Sequence, residues 1–244
     1  MARDTTDDWE AIGESEPWYG VLSAPMFLSV NINDQAKEKF YAQGREEIAV
    51  ALEHIREIDP FFAPSHGLDF GSGLGRLAFA MAATCQSVVG VDVSRGMIAE
   101  ANIQKAARGY SNVQFDREIP EGGKFDWINS YIVLQHILPR TGYGLIQRLL
   151  SALNVGGLTS LHLTFAHDYR DMSSIKRDAW AYQYDGETAN VIQFNETMIG
   201  EMSMYDYDMN KVLFLFIQAG IQHLKLVHTD HGGVHGFWIF GKKM

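Results

Sequence analysis

The chain has 244 residues, 46% of them hydrophobic and 20% charged, which is enough apolar material for one large domain or a core with a lid. A formal charge of −10 with no basic run lacks the clustered Lys and Arg that nucleic acid or an anionic membrane requires, so neither is expected as a partner. Apolar runs such as Val212–Ile217 are too short to span a bilayer, the start shows no apolar leader, and Cys85 alone can form neither an intrachain disulfide nor a cysteine-based zinc site. The expected compartment is the cytoplasm.

Residues 1–32 are an acidic lead rich in aromatics, with Trp9, Trp18 and Tyr19 among its carboxylates. Pro17, Gly20 and Pro25 break any long helix there. Asn33 or Asp34 caps a predicted helix to about Ile58, whose apolar positions Ala36, Phe40, Ile48, Leu52 and Ile55 recur at helical spacing. Strands and helices then alternate. Strands are expected at Gly67 to Phe70, Ser87 to Val91, Asn112 to Phe115, Phe125 to Val133 and Leu158 to Phe165. Helices are expected at Leu77 to Ala83, Met97 to Arg108 and Tyr143 to Leu153, the last stopped by Gly156 and Gly157. This alternation predicts a mostly parallel sheet covered on both faces.

The end differs. Met209 to Ala219 read as a helix closed by Gly220, and Ile221 to Val227 and Val234 to Phe240 flank a turn at residues 230–233 as a β-hairpin. The expected fold is therefore α/β, a doubly wound, mostly parallel seven-stranded sheet with a C-terminal antiparallel hairpin. It divides into an N-terminal helical lid (1–58), a Rossmann-like core (59–166), an insertion over the active face (167–205) and a closing helix and hairpin (206–244).

The densest chemical signal is Leu68-Asp69-Phe70-Gly71-Ser72-Gly73-Leu74-Gly75-Arg76. A strand delivers the chain to a glycine turn and a helix follows, so a ligand can approach the backbone beside free helix N–H groups. A dinucleotide fingerprint needs G-x-G-x-x-G; here the glycines fall at 71, 73 and 75 and position 76 is Arg. A carboxylate at Asp69 suits a ligand bearing an ammonium group and would repel a pyrophosphate. Asp92 ends the next strand, 17 residues after Gly75, and can accept bonds from both hydroxyls of a ribose. Read alone, it fits a solvated loop aspartate equally well.

Asp69-x-Gly71-x-Gly73-x-Gly75, followed by Gly90-Val91-Asp92-Val93-Ser94 and Met97, resembles the class I S-adenosylmethionine-dependent methyltransferases. The segments Phe125 to Ser130 and Val133 to Ile137 are similar to the small-molecule members. Leu153-Asn154-Val155-Gly156-Gly157 stands where that family usually has a proline before the glycine pair. The resemblance covers residues 65–166 and the terminal hairpin. It implies S-adenosylmethionine as cofactor, with Asp69, Gly71, Ser72, Gly73 and Gly75 around its methionine part. It further implies Asp92 on the ribose, Val93 and Met97 flanking the adenine, Asp116 or Arg117 near the adenine amine, and the Asn129 carbonyl on the amino group. Tyr41 is assigned to the cofactor side.

An oxygen nucleophile needs a base. His136, just beyond the fourth strand, is the candidate, against the plainer reading of a packing histidine. Tyr19, Tyr131, Gln135, His167, Tyr169 and Arg170 are assigned to a small-molecule acceptor, a sugar or natural-product-like hydroxyl. His228, Asp230, His231 and His235 suggest a metal by type, but a tight hairpin is expected to send them to different faces, so no metal is assigned. An N-methyltransferase, a protein side-chain methyltransferase and a non-catalytic cofactor-binding module are the alternatives. The glycine spacing and the hairpin speak against a nicotinamide oxidoreductase.

Overall fold

The computed structural model describes residues 5–168, 180–184, 189–193 and 202–244. The acidic lead forms two short helices, α1 (Thr6–Ser15) and α2 (Pro17–Val21), separated at Glu16 ahead of Pro17. Helix α3 (Asp34–Ile58) starts where the Asn33 side chain accepts the Ala36 N–H at 3.0 Å and ends at Asp59, before Pro60. Its buried face, Phe40, Tyr41, Gly44, Ile48, Ala51 and Ile55, follows the helical period.

The α/β core runs β1 (His66–Phe70), α4 (Arg76–Met81), β2 (Ser87–Val91), α5 (Arg95–Arg108), β3 (Val113–Asp116), β4 (Phe125–Ser130), α6 (Pro139–Ala152) and β5 (Leu153–His167). Strands β6 (Trp180–Tyr184) and β7 (Ala189–Gln193) pair antiparallel in a separate sheet. Helix α7 (Met209–Gln218) and the hairpin β8 (Leu224–Asp230) and β9 (Val234–Lys242) follow. The seven-stranded sheet has the order β3-β2-β1-β4-β5-β9-β8, with β9 antiparallel to both its neighbours β5 and β8 and the other neighbours parallel. The chain winds outward from β1 to β3 and returns to β4. The order therefore reverses between β1 and β4, the place where such sheets bind ligands.

Each face of the sheet has its own core. One gathers α3, α4 and α5 over Trp127, Leu158, Trp238 and Phe240; the other gathers α6 and α7 over Leu68, Ile128, Leu161 and Ile239. Four places depart from the sequence expectation. Strand β4 ends at Ser130, short of Val133, because Ile132 takes φ 58 and turns the chain out of the sheet. Helix α6 begins at Pro139, which suits a first helical turn where the missing N–H has no partner to lose. Gly156 and Gly157 lie within β5, where Gly156 takes φ 84 and the pairing with β4 shifts register, so the glycine pair forms a bulge and is not a simple stop. The final hairpin starts at Leu224, three residues later than Ile221, and its second strand runs on to Lys242.

Candidate active site

The glycine turn lies between β1 and α4 with Gly71, Gly73 and Gly75 at φ 74, 51 and 80, backbone that a residue with a Cβ rarely adopts. Gly71 and Ser72 N–H both donate to the Val91 carbonyl, at 2.7 and 2.9 Å, which ties the turn to the end of β2. A Cβ at Gly73 would lie 2.8 Å from Val21, and one at Gly71 would strike Val133. The turn is thus covered by α2 from one side and by the segment after β4 from the other.

Asp69 is 2% exposed. Its Oδ1 accepts the Asn129 amide at 2.9 Å, Asn129 in turn accepts the Ser160 hydroxyl at 2.7 Å, and its Oδ2 is buried with no hydrogen-bond partner. Burial pushes the Asp69 carboxyl up to about 7, against the lowering pull of Asn129 and Arg76. The Ser72 hydroxyl is also buried without a partner. Asp92 accepts Gly73 N–H at 2.8 Å on Oδ2 and Ser94 N–H at 2.9 Å on Oδ1, and burial raises its carboxyl. Such a set fits a ligand with an ammonium group for Asp69 and a ribose for Asp92.

At the far end, Met97 is buried and Val93 is exposed. Arg117 donates to the Val93 carbonyl at 3.2 and 3.0 Å and reaches Glu10 of α1 at 3.2 Å. Glu10 also accepts the Arg95 N–H at 2.8 Å. Asp116 is exposed and accepts the Arg117 N–H. Gly13 packs so closely on Ser94 that no Cβ fits between them. Tyr41 lies behind the turn, its hydroxyl donating to the Leu74 carbonyl at 3.1 Å under the Arg108 guanidinium, and burial raises its pKa.

His136 closes a 3₁₀ turn at Leu134–His136, ahead of α6 and not on it. Its Nδ1 lies 2.9 Å from the Ser203 carbonyl, so Nδ1 carries the proton and Nε2 is left as the acceptor, 3.3 Å from the Gln135 amide nitrogen. Burial lowers the imidazole pKa against the raising effect of that Ser203 bond. Trp9 meets the ring edge-on at 5.1 Å, and Thr5 donates to the His136 carbonyl at 2.9 Å. His167 Nδ1 meets Asp206 Oδ2 at 3.0 Å, both side chains being buried. Tyr131 is half-buried against Trp238, His162 and His231, and Tyr19 is half-buried on α2. Tyr169 and Arg170 lie outside the described residues.

Residues 68–159 match the family model described as a methyltransferase domain. They form a class I S-adenosylmethionine-dependent methyltransferase domain. No curated protein matches the chain. The fold is similar to solved methyltransferase structures. Magnesium protoporphyrin IX methyltransferase (ChlM) from Synechocystis PCC 6803 with bound S-adenosylhomocysteine has TM-score 0.65 and 17% identity, covering 99% of this chain and 100% of that one. The N-methyltransferase NodS from Bradyrhizobium japonicum WM9, in complex with the same nucleoside, has TM-score 0.58 and 14% identity, covering 97% and 98%. The N-terminal domain of EvdMO1, in the presence of that nucleoside and D-fucose, has TM-score 0.58 and 15% identity, covering 83% and 84%.

The methyltransferase gathers Asp69, Gly71, Ser72, Gly73, Gly75, Asp92 and Asn129 at one end of its parallel strands. Glu10 and Asp206 were invisible to motif reading, because each reaches the site from a distant segment, and Val133, quoted only as part of a family segment, had no role assigned. The histidine cluster behaves differently from the expectation of separate faces for all its members. His228 and His235 meet at 3.2 Å, and His235 reaches Asp168 at 3.0 Å. Only His231 turns to Tyr131, while Asp230 accepts the Gly233 N–H at 2.7 Å and closes the turn. Among the described residues no group of three or more His, Cys, Asp and Glu side chains is arranged to hold a metal ion.

Proposed function

We propose that this methyltransferase acts on a hydroxyl of a small, sugar-like or natural-product-like acceptor and that His136 takes the hydroxyl proton. The observation that carries this reading is the fixed tautomer of His136. The Ser203 carbonyl holds the proton on Nδ1 and burial favours the neutral ring, so Nε2 is the acceptor beyond the carboxyl end of β4; the Gln135 amide occupies it at 3.3 Å, and an acceptor hydroxyl takes that place. S-adenosylmethionine, when bound, supplies an activated methyl group on a sulfonium. The chain then has to bind, align and desolvate. Asp69 receives the ammonium group on its unpaired oxygen and Asp92 the ribose, Val93 and Met97 flank the adenine, and Asp116 or Arg117 approaches its amine. Tyr41 steadies the turn from behind. Gln135 yields Nε2 to the acceptor hydroxyl and binds the acceptor together with Tyr19, Tyr131 and His167. As the acceptor oxygen gains its carbon, its proton passes to His136 Nε2.

Residues 1–58 serve as a lid that excludes water, a role supported by the contacts of Glu10, Gly13 and Val21 with the cofactor strands. A second base is favoured by one specific pair. Asp206 orients His167 in the way a carboxylate orients a catalytic imidazole. A nitrogen acceptor is the alternative substrate class, and it would relax the need for either base.

Single-turnover transfer of labelled methyl to a hydroxyl acceptor tests the assignment. His136→Ala should slow the chemical step by about 10²–10⁴, the usual contribution of a positioned base, with S-adenosylhomocysteine affinity nearly unchanged. A near-normal rate in that variant, with a large loss in His167→Ala, would move the base to the Asp206 pair.

A further inference from the structure

Four rings converge just beyond the carboxyl end of β4 and around the paired middle residues of β5 and β9, next to the cofactor residues but outside the set assigned to the cofactor. Tyr131 lies 4.4 Å from Trp238, 5.1 Å from His162 and 5.9 Å from His231 between ring centroids, and His162 and His231 are 5.3 Å apart. The sheet fixes this arrangement. His162 on β5 pairs directly with Trp238 on β9, and Ser160, two residues before His162 and so on the same face, bonds Asn129 beside Asp69. A row of side chains therefore runs from the ammonium-binding carboxylate to the rings. Ile132 holds φ 58, costly for a β-branched residue, and separates Tyr131, which faces the rings, from Val133, which covers Gly71.

The cluster is not a closed core. His231 is exposed and Tyr131 half-buried, with His162 and Trp238 buried behind them, so the cluster reaches the surface through His231 and Tyr131. Two polar atoms in the wall are buried and unbonded, His162 Nδ1 and Trp238 Nε1, whereas His162 Nε2 meets the Thr229 hydroxyl at 2.8 Å. Unpaired buried polar atoms are costly and call for a partner. The wall is uncharged. Burial holds the His162 imidazole down to about 3 and pushes the Tyr131 phenol up to about 12. The nearby Arg76 is engaged with Glu47 at 2.6 Å.

We propose that Tyr131, His162, His231 and Trp238 form the acceptor wall of this methyltransferase and that it takes an uncharged, planar aromatic compound bearing a hydroxyl. Ring faces and edges supply stacking area, the indole N–H can meet an acceptor atom, and no cation is offered to an anionic group. The proposal rests on the methyl-transfer reading above and narrows its acceptor.

The test uses the full chain, with 2-naphthol and methyl α-glucoside as probes. Calorimetry first measures S-adenosylhomocysteine binding, which checks the cofactor reading by itself. Ligand-observed NMR then measures both probes with and without the nucleoside. The expected result is saturable 2-naphthol binding that the glucoside does not displace, weakened at least about tenfold in Tyr131→Ala and in the bulk-preserving Tyr131→Leu. Trp238→Phe should weaken it severalfold by removing the N–H together with part of the ring area. Unchanged nucleoside affinity in the variants shows that they fold. No 2-naphthol binding, equal binding in wild type and both Tyr131 variants, or displacement by the glucoside overturns the aromatic wall while leaving methyl transfer standing. Failure of the nucleoside to bind wild type would instead remove the reading beneath it.

Discussion

Asp69 keeps one oxygen bonded to Asn129 and the other unpaired, and burial holds its proton until about pH 7. A cationic amino group binds the deprotonated form. Ligand affinity should therefore rise with pH up to about 7 and level off above it. Below that point the loss should approach about tenfold per pH unit, the limit for one linked proton. The ligand-free protein shows the opposite sign: a carboxyl raised in the folded state favours folding when protonated, and that contribution is lost as pH climbs from the ordinary value of 3.8 towards 7. Calorimetric titration of S-adenosylhomocysteine over about pH 5.5 to 8.5 checks this. Asp69→Asn should bind weakly and without the pH slope; a flat profile in wild type would place the ammonium group elsewhere. The sequence made Asp69 readable through its spacing from Gly71, yet the Asn129 and Ser160 bonds that orient it join residues 60 and 31 positions apart and leave no local mark.

Among the elements, those written in local periodicity or turn chemistry were legible: α3 from its Asn33 cap and the β1 turn from its glycines; α5 was expected from Met97, and the structure starts it two residues earlier behind Ser94, whose hydroxyl accepts the Met97 N–H. Ile132 was not legible, because positive φ at a β-branched residue is imposed by tertiary packing and contradicts its own propensity. Nor was the docking of α1, since Glu10 reaches Arg95 and Arg117 across 85 and 107 residues. The proposed lid role has a direct consequence. Gly13 packs where a Cβ would collide with Ser94, and Gly96 meets the Gly13 carbonyl just as tightly. Gly13→Val should hold α1 off the cofactor strands and speed nucleoside release, with an affinity loss of about 1–3 kcal/mol, the usual cost of overpacking. Stopped-flow displacement of bound S-adenosylhomocysteine measures it, and an unchanged release rate would show that α1 plays no part in retention.

For the whole molecule, the reversal of strand order between β1 and β4 brings Asp69, Asp92 and Asn129 together, with His136 beyond the end of β4. The strand alternation in the sequence already implied such a sheet. The acceptor side was less legible, because the chain from Ser203 to Tyr207 crosses between the His136 turn and β5 through long-range bonds: Tyr205 N–H to the Gln135 carbonyl, Tyr207 N–H to the Thr164 carbonyl and Thr164 hydroxyl to the Tyr205 carbonyl. The central claim is that this site is built for a sulfur nucleoside with an ammonium group and not for a dinucleotide. The most direct measurement is calorimetric titration of the full chain with S-adenosylmethionine, S-adenosylhomocysteine and NAD, in wild type and Asp92→Ala. Both sulfur nucleosides should bind and NAD should give no heat of binding. Asp92→Ala should weaken the nucleosides by about 1.5–3 kcal/mol, the range for hydrogen bonds to a charged group. Binding of NAD with no response to either nucleoside would contradict the account.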